Sequence, residues 1–139
     1  MNEQPDRPER SLSARTAGGA TGTVTAGSFE WSFDGSEDPG EAGTAPSPVD
    51  RLLGALAACL AASVGFQASK RDLDLAAVRV DVEGRPEHGP LDSIELRVAL
   101  ESAADDGTLA RTVAVAERGC YVARTLRADL PVEVTWERL

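Results

Sequence analysis

A chain of 139 residues and 14.6 kDa has room for one hydrophobic core, and two domains would each be starved of burial. Its 23 acidic residues against 14 basic ones give a net charge of −9, which argues against duplex nucleic acid or an anionic membrane surface as partner. Hydrophobic residues at 42% and charged residues at 27% are ordinary for a globular domain, but aromatics at 4% leave a core built of Ala, Val and Leu. Small side chains bury little area each, at roughly 25 cal/mol per Å², so a homo-oligomer that completes the core is expected. Lys70 is the sole lysine among the cations, and arginine bias with strong acidity is a halophile-like composition. The first twenty residues hold no apolar run, so no secretory leader is read and the expected location is the cytoplasm. In a reducing compartment, two cysteines are more often free, catalytic or redox-sensing than a structural bridge.

Residues 1–10 are polar and proline-containing and read as a disordered tail, leaving 11–139 as a single domain. β-Branched residues recur from Thr21 to Thr25. Phe29, Trp31 and Phe33 then alternate with Glu30, Ser32 and Asp34, the period of a half-buried strand with its aromatics toward the core. Asp34 to Pro46 is rich in Gly, Pro and acidic residues and reads as a surface loop.

Ser47-Pro48-Val49-Asp50 has the grammar of a helix start: a hydroxyl cap, proline at the first helical position and a carboxylate three residues past the cap. The helix is expected to run to Arg71. Between Leu52 and Phe66 Ser63 is the only polar side chain, which predicts burial on most sides and, for a chain this small, a partner subunit to help. This uncharged run is shorter than the roughly 20 residues of a membrane span.

Val78, Val80 and Val82 alternate with charged residues, as do Ile94, Leu96, Val98 and Leu100 with their neighbours, and Gly84 to Pro90 joins the two runs as a hairpin. Asp105 to Thr108 is a capped turn before a helix from Leu109 to Arg118, stopped at Gly119. A short helix from Cys120 to Arg127 and a strand through Val132, Val134 and Trp136 follow. Strands bracketing helices, with antiparallel hairpins at both ends, predict an α+β fold.

Cys59 sits mid-helix in Ala-Ala-Cys-Leu-Ala-Ala, where it is equally well read as a small core hydrophobe or as a thiol that a substrate can approach. Cys120 follows Gly119 at the opening of a short helix, where unpaired N–H groups favour a thiolate, and Arg118 and Arg124 are close in sequence. On local physics Cys120 is therefore the more reactive thiol. His88 is a lone loop histidine, and with two distant cysteines it does not form a four-ligand zinc pattern, so no metal or other cofactor is expected.

The stretch from Pro46 to Ala61 around Cys59, and the stretch Ala116-Glu117-Arg118-Gly119-Cys120-Tyr121-Val122-Ala123-Arg124-Thr125-Leu126, together resemble the osmotically inducible protein C and organic hydroperoxide resistance (OsmC/Ohr) superfamily. The resemblance implies antiparallel sheets wrapping long central helices in an intertwined homodimer. It also implies thiol peroxidase chemistry, in which Cys59 attacks an organic hydroperoxide and becomes a sulfenic acid. Cys120 then closes a disulfide that a dithiol reductant reopens. Peroxidase members carry a glutamate after the motif proline and an arginine in the N-terminal strands. Here the position after Pro48 is Val49, with Asp50 next, and the arginine candidates are Arg15 and, less well, Arg10. Asp50 precedes Cys59 by roughly nine residues, about 13 Å along a helix axis and on the opposite face, so it is equally a capping carboxylate. Where that family often has proline after the second cysteine, this chain has Tyr121. An alternative keeps the fold and dimer but makes the apolar surroundings of Cys59 a pocket for a hydrophobic small molecule or lipid.

Overall fold

The computed structural model describes residues 9–36 and 43–139. Most of the expected tail 1–10 and the middle of the expected loop Asp34–Pro46 fall outside those residues. The chain divides into two compact units, Met1–Asp50 and Arg51–Leu139.

In the first unit β1 (Ser13–Thr16), β2 (Thr21–Ala26) and β3 (Phe29–Asp34) form an antiparallel sheet in that order. Gly27, at φ +60°, opens the two-residue turn between Ala26 and Phe29, a backbone that L side chains rarely adopt. Gly22 is demanded by space: a Cβ there would lie 2.0 Å from the Arg15 carbonyl oxygen and 2.8 Å from the Phe33 ring. The period-two reading of β3 holds, but its aromatics do not form a closed core face. Phe29 is 74% exposed and Trp31 and Phe33 are half-buried, because a three-stranded sheet has no second layer of its own. Asp34 is the buried residue of β3. Its carboxylate accepts hydrogen bonds from the Ser36 hydroxyl and backbone N–H (2.9 Å) and from the Thr44 N–H (2.9 Å) and hydroxyl (3.0 Å). These donors, the Ser36 hydroxyl foremost, hold its pKa well below the usual carboxylate range.

Helix α1 spans Pro48–Lys70. Its start is a reciprocal box: the Asp50 N–H donates to Ser47 Oγ and the Ser47 N–H donates to Asp50 Oδ2, both at 3.0 Å. In the second unit β4 (Ala77–Arg85), β5 (Ser93–Glu101) and β6 (Val132–Arg138) form a sheet with β5 central, and α2 (Asp106–Arg118) and α3 (Tyr121–Thr125) lie between β5 and β6 in sequence. β4 and β5 are the expected hairpin. β6, expected to close an antiparallel hairpin, instead runs parallel to β5, because α2 and α3 carry the chain back to the end at which β5 began. α2 starts three residues earlier than the periodicity predicts and α3 is shorter at both ends.

The core joins Leu56, Leu60 and Val64 of α1, Ile94, Leu96, Val98 and Leu100 of β5, Leu109, Val113 and Ala116 of α2, and Cys120. Within the single chain, the Leu56, Leu60, Val64, Ala68 stripe is the fully buried part of α1. Leu52 is 41% and Phe66 64% exposed. By length and composition the 23-residue helix is apolar enough to cross a membrane, with a mean hydropathy of 1.6, although the uncharged run alone is too short. Its stripe is packed into a sheet-and-helix core, as in the central helix of a globular domain.

Candidate functional site: a hydrogen-bonded cysteine pair

The site lies where α2 ends against α1. The Gly119 N–H bonds back to the carbonyls of Val115 (3.1 Å) and Ala116 (3.2 Å), the Cys120 N–H bonds to the Glu117 carbonyl (3.2 Å), and the chain then turns into α3 with Cys120 as its extended N-cap residue. Ser63, the single hydroxyl in the apolar run of α1, donates to the Ala116 carbonyl at 2.7 Å and ties the middle of α1 to this corner.

That corner brings the two cysteines together. Both are free thiols; Cys120 is buried and Cys59 half-buried. The two sulfurs are close enough to shift each other's ionisation, and the N–H groups of Val122 and Tyr121, at the start of α3, favour charge on the Cys59 sulfur. Burial is the largest single influence on Cys59 and opposes ionisation. The Val122 N–H, the Cys120 thiol and the Tyr121 N–H together outweigh it, so the Cys59 pKa falls below the ordinary thiol value. Cys120 moves the opposite way: burial raises its pKa first, and donating to a neighbouring thiolate adds to the rise, against the lowering by the Ala123 and Val122 N–H groups.

Local sequence physics favoured Cys120 as the thiolate, and the structure reverses that order. The helix-end donors exist as expected, but they stabilise charge on the sulfur of α1 as well as on the residue that opens α3. Sequence reasoning named Ser63 only as an exception to an apolar run and missed the N–H groups of Tyr121 and Val122; the Gly119-Cys120 corner was the available signal.

Cys59 opens onto a cleft of about 290 Å³ lined also by Ala62, Ser63, Phe66, Gly119 and Tyr121. The lining is mainly apolar, and Phe66 and Tyr121 are 64% and 80% exposed. Arg15 sits on β1 opposite Thr23, Arg10 precedes that strand, and the Asp50 carboxylate is engaged in the box that starts α1. His88 is in the β4–β5 loop beside Glu87 at 4.0 Å. Among the described residues no three His, Cys, Asp or Glu side chains gather as metal ligands.

The family model of the OsmC-like proteins matches residues 40–135, a span that contains both cysteines and the corner between them. The chain belongs to the OsmC-like protein family. Solved structures share the fold over nearly their whole length. An OsmC-like protein from Mycoplasma pneumoniae superposes with a TM-score of 0.83 at 18% identity, covering 95% of this chain and 98% of that one. An organic hydroperoxide resistance protein OsmC from Legionella pneumophila gives a TM-score of 0.75 at 20% identity, covering 96% and 99%. The organic hydroperoxide resistance protein OhrB of Bacillus subtilis gives 0.65 at 20% identity, covering 94% and 98%. At these identities the likeness is one of fold. No curated protein matches the chain in sequence. The α+β architecture expected from the sequence is thus that of an OsmC-like protein, with one sheet antiparallel and the other mixed.

Proposed function

We propose that this OsmC-like protein is a thiol-dependent peroxidase that reduces organic hydroperoxides, working as a cytoplasmic homodimer. The observation that carries the reading is the meeting of two free thiols at the corner between α2 and α3, where the surroundings push the Cys59 pKa down and the Cys120 pKa up. A thiolate at Cys59 attacks the terminal peroxide oxygen; an S–O bond forms, the O–O bond breaks, and the departing alkoxide takes a proton to become an alcohol. Cys59 is then a sulfenic acid. Cys120 gives up its proton to the leaving hydroxyl and attacks that sulfur as the thiolate; the S–S bond forms, the S–O bond breaks and water leaves. A dithiol reductant opens the disulfide by exchange and is itself oxidised to a disulfide, returning both thiols.

Membership of a family whose relatives include organic hydroperoxide resistance proteins supports the substrate class. The mainly apolar cleft at Cys59 supports an organic rather than an inorganic peroxide. The exposed Leu52 and Phe66 on the apolar helix α1 support the dimer. Arg15 and Asp50 remain in the proposal as candidates for polarising the thiolate, to be tested by replacement.

The test is consumption of cumene hydroperoxide with an excess of dithiol. Cys59→Ser is expected to abolish turnover, and Cys120→Ser to leave one equivalent consumed per chain with a sulfenic acid that dimedone traps. Equal consumption by Cys59→Ser and the parent chain refutes the reading. Sedimentation tests the dimer: Phe66→Ser is expected to shift the chain toward monomer. The apolar lining of the Cys59 cleft also favours a second reading, a non-catalytic dimer that holds a hydrophobic small molecule there. Native mass spectrometry of the purified protein separates the two, through a retained apolar ligand over an inert Cys59.

A further inference from the structure

A second and larger cavity, of about 760 Å³, is lined by Cys120 and bounded by the end of α2, by α3, and by the segment leading into β6. Leu60, Leu96 and Cys120 reach it from the core, each about 1% exposed, and Leu130, Val132 and Val134 extend its apolar wall. Its size is that of small-molecule sites, roughly 300–1,000 Å³. It is separate from the Cys59 cleft, with which it shares no lining residue.

The rim is cationic in a chain whose net charge is −9. Arg118, Arg124 and Arg127 line it against the single carboxylate of Glu117. Arg127 is committed: it pairs with Asp129 at 3.3 Å and donates to the Leu91 carbonyl at 3.4 Å. Arg124 spends one N–H on the Arg118 carbonyl at 3.3 Å, and among the described residues neither its guanidinium nor that of Arg118 has a carboxylate partner. Two uncompensated guanidinium groups over an apolar floor form a surface with two halves, one that recognises a planar anion through paired N–H donors and one that accepts hydrocarbon.

We propose that this cavity binds an amphipathic organic carboxylate, its head held by Arg118 and Arg124 and its hydrocarbon chain laid along Leu130, Val132 and Val134. Bound this way, the ligand lies against Cys120, in a cavity separate from the Cys59 cleft. The proposal does not rest on the peroxidase reading, and binding to the reduced chain tests it without turnover.

The experiment is titration of the ¹⁵N-labelled, reduced full-length chain with decanoate below its micelle concentration, with decanol as the uncharged control. Saturable amide shifts are expected at Ala123, Ala128, Leu130 and Val132, weaker with decanol and weakened by added NaCl. The double variant Arg118→Gln/Arg124→Gln, altered at two exposed positions, is expected to bind decanoate about tenfold or more weakly, the loss expected for removing charge-assisted hydrogen bonds. Three outcomes overturn the proposal: no saturable shift at those residues, shifts confined to Ala62, Ser63 and Phe66 of the other cleft, or equal decanoate affinity in the double variant. Loss of peroxidase activity in the Cys59 variant would leave each of these readings unchanged.

Discussion

Ser63→Ala separates the stability of this protein from the reactivity of its thiols. The hydroxyl donates to the Ala116 carbonyl at 2.7 Å, but that oxygen also accepts the Gly119 N–H at 3.2 Å, so removing Ser63 leaves no buried acceptor orphaned. The loss is then the net worth of one neutral hydrogen bond, about 0.5–1.5 kcal/mol, rather than the about 1–3 kcal/mol of an unsatisfied group. Alanine regains part of it through its better helix propensity, worth up to about 0.5 kcal/mol in mid-helix. The expected net change in urea unfolding is therefore a loss of about 0.5 kcal/mol with an unchanged m-value. Cys59 has more to lose. The same hydroxyl fixes the end of α2 against α1, and that corner aims the Tyr121 and Val122 N–H groups at the Cys59 sulfur. Iodoacetamide alkylation of Cys59, followed by mass spectrometry at a pH below the ordinary thiol pKa, is expected to slow several-fold in the variant, since a few tenths of an ångström weakens three convergent donors together. An unchanged alkylation rate would refute the positioning argument, and a stability loss above about 3 kcal/mol would refute the accounting of the hydrogen bond.

Leu60→Ala, at a position 1% exposed and shared by the core and the arginine-rimmed cavity, should cost about 3–5 kcal/mol in urea unfolding, whereas a loss below about 1 kcal/mol would mean the site collapses freely. Arg138→Ala removes the donors to the Ser102 carbonyl at 2.9 Å, the Ala104 carbonyl at 2.7 Å and the Asp106 carboxylate at 2.7 Å; because the pair is solvent-exposed, about 1 kcal/mol is expected, with faster amide exchange at the start of α2. The pH dependence has a fixed sign: the Cys59 pKa is lowered on folding from an ordinary value of 9.0, so between the folded value and 9.0 the unfolded chain holds more protons and stability rises with pH. That contribution is lost as pH falls through the folded value, and the raised Cys120 acts oppositely, removing stability as pH climbs above 9.0. Thiolate absorbance at 240 nm against pH, measured in Cys120→Ser and Cys59→Ser, checks both directions; a Cys59 midpoint at or above that of the unfolded chain would contradict the first.

The strands were legible where one face alternates with the other. Val78 to Val82 and Ile94 to Leu100 carry that period, whereas Ser-Ala-Arg-Thr of β1 has no apolar alternation and is held by its ladder to β2. The start of α1 was legible because capping is local chemistry, with Ser47 and Asp50 exchanging bonds across three residues. The direction of β6 was not, since its propensity is the same whichever way it pairs and only the path of the chain through α2 and α3 decides. Nor was the buried face of α1: an apolar run with no polar stripe gives periodicity nothing to orient by, and packing against β5 and α2 selected the Leu56, Leu60, Val64, Ala68 line.

The same distinction governs the site. A helix as short as α3, five residues, does not form by its own propensity, so the donors it offers exist only while the Gly119 corner and the core hold it. Cys120 sits at that corner with 1% of its surface exposed and acts on the ionisation of Cys59. A disulfide between the two sulfurs would remove the Cys120 S–H and leave neither sulfur a thiolate for the Tyr121 and Val122 N–H groups to stabilise. On the peroxidase reading proposed above, such an arrangement would favour the reduced pair and make its disulfide easy for a dithiol to reopen. A structural bridge needs the reverse, an oxidised form more stable than the reduced one. On that reading, the feature that lowers the Cys59 pKa is also the one that would suit the pair to cycling.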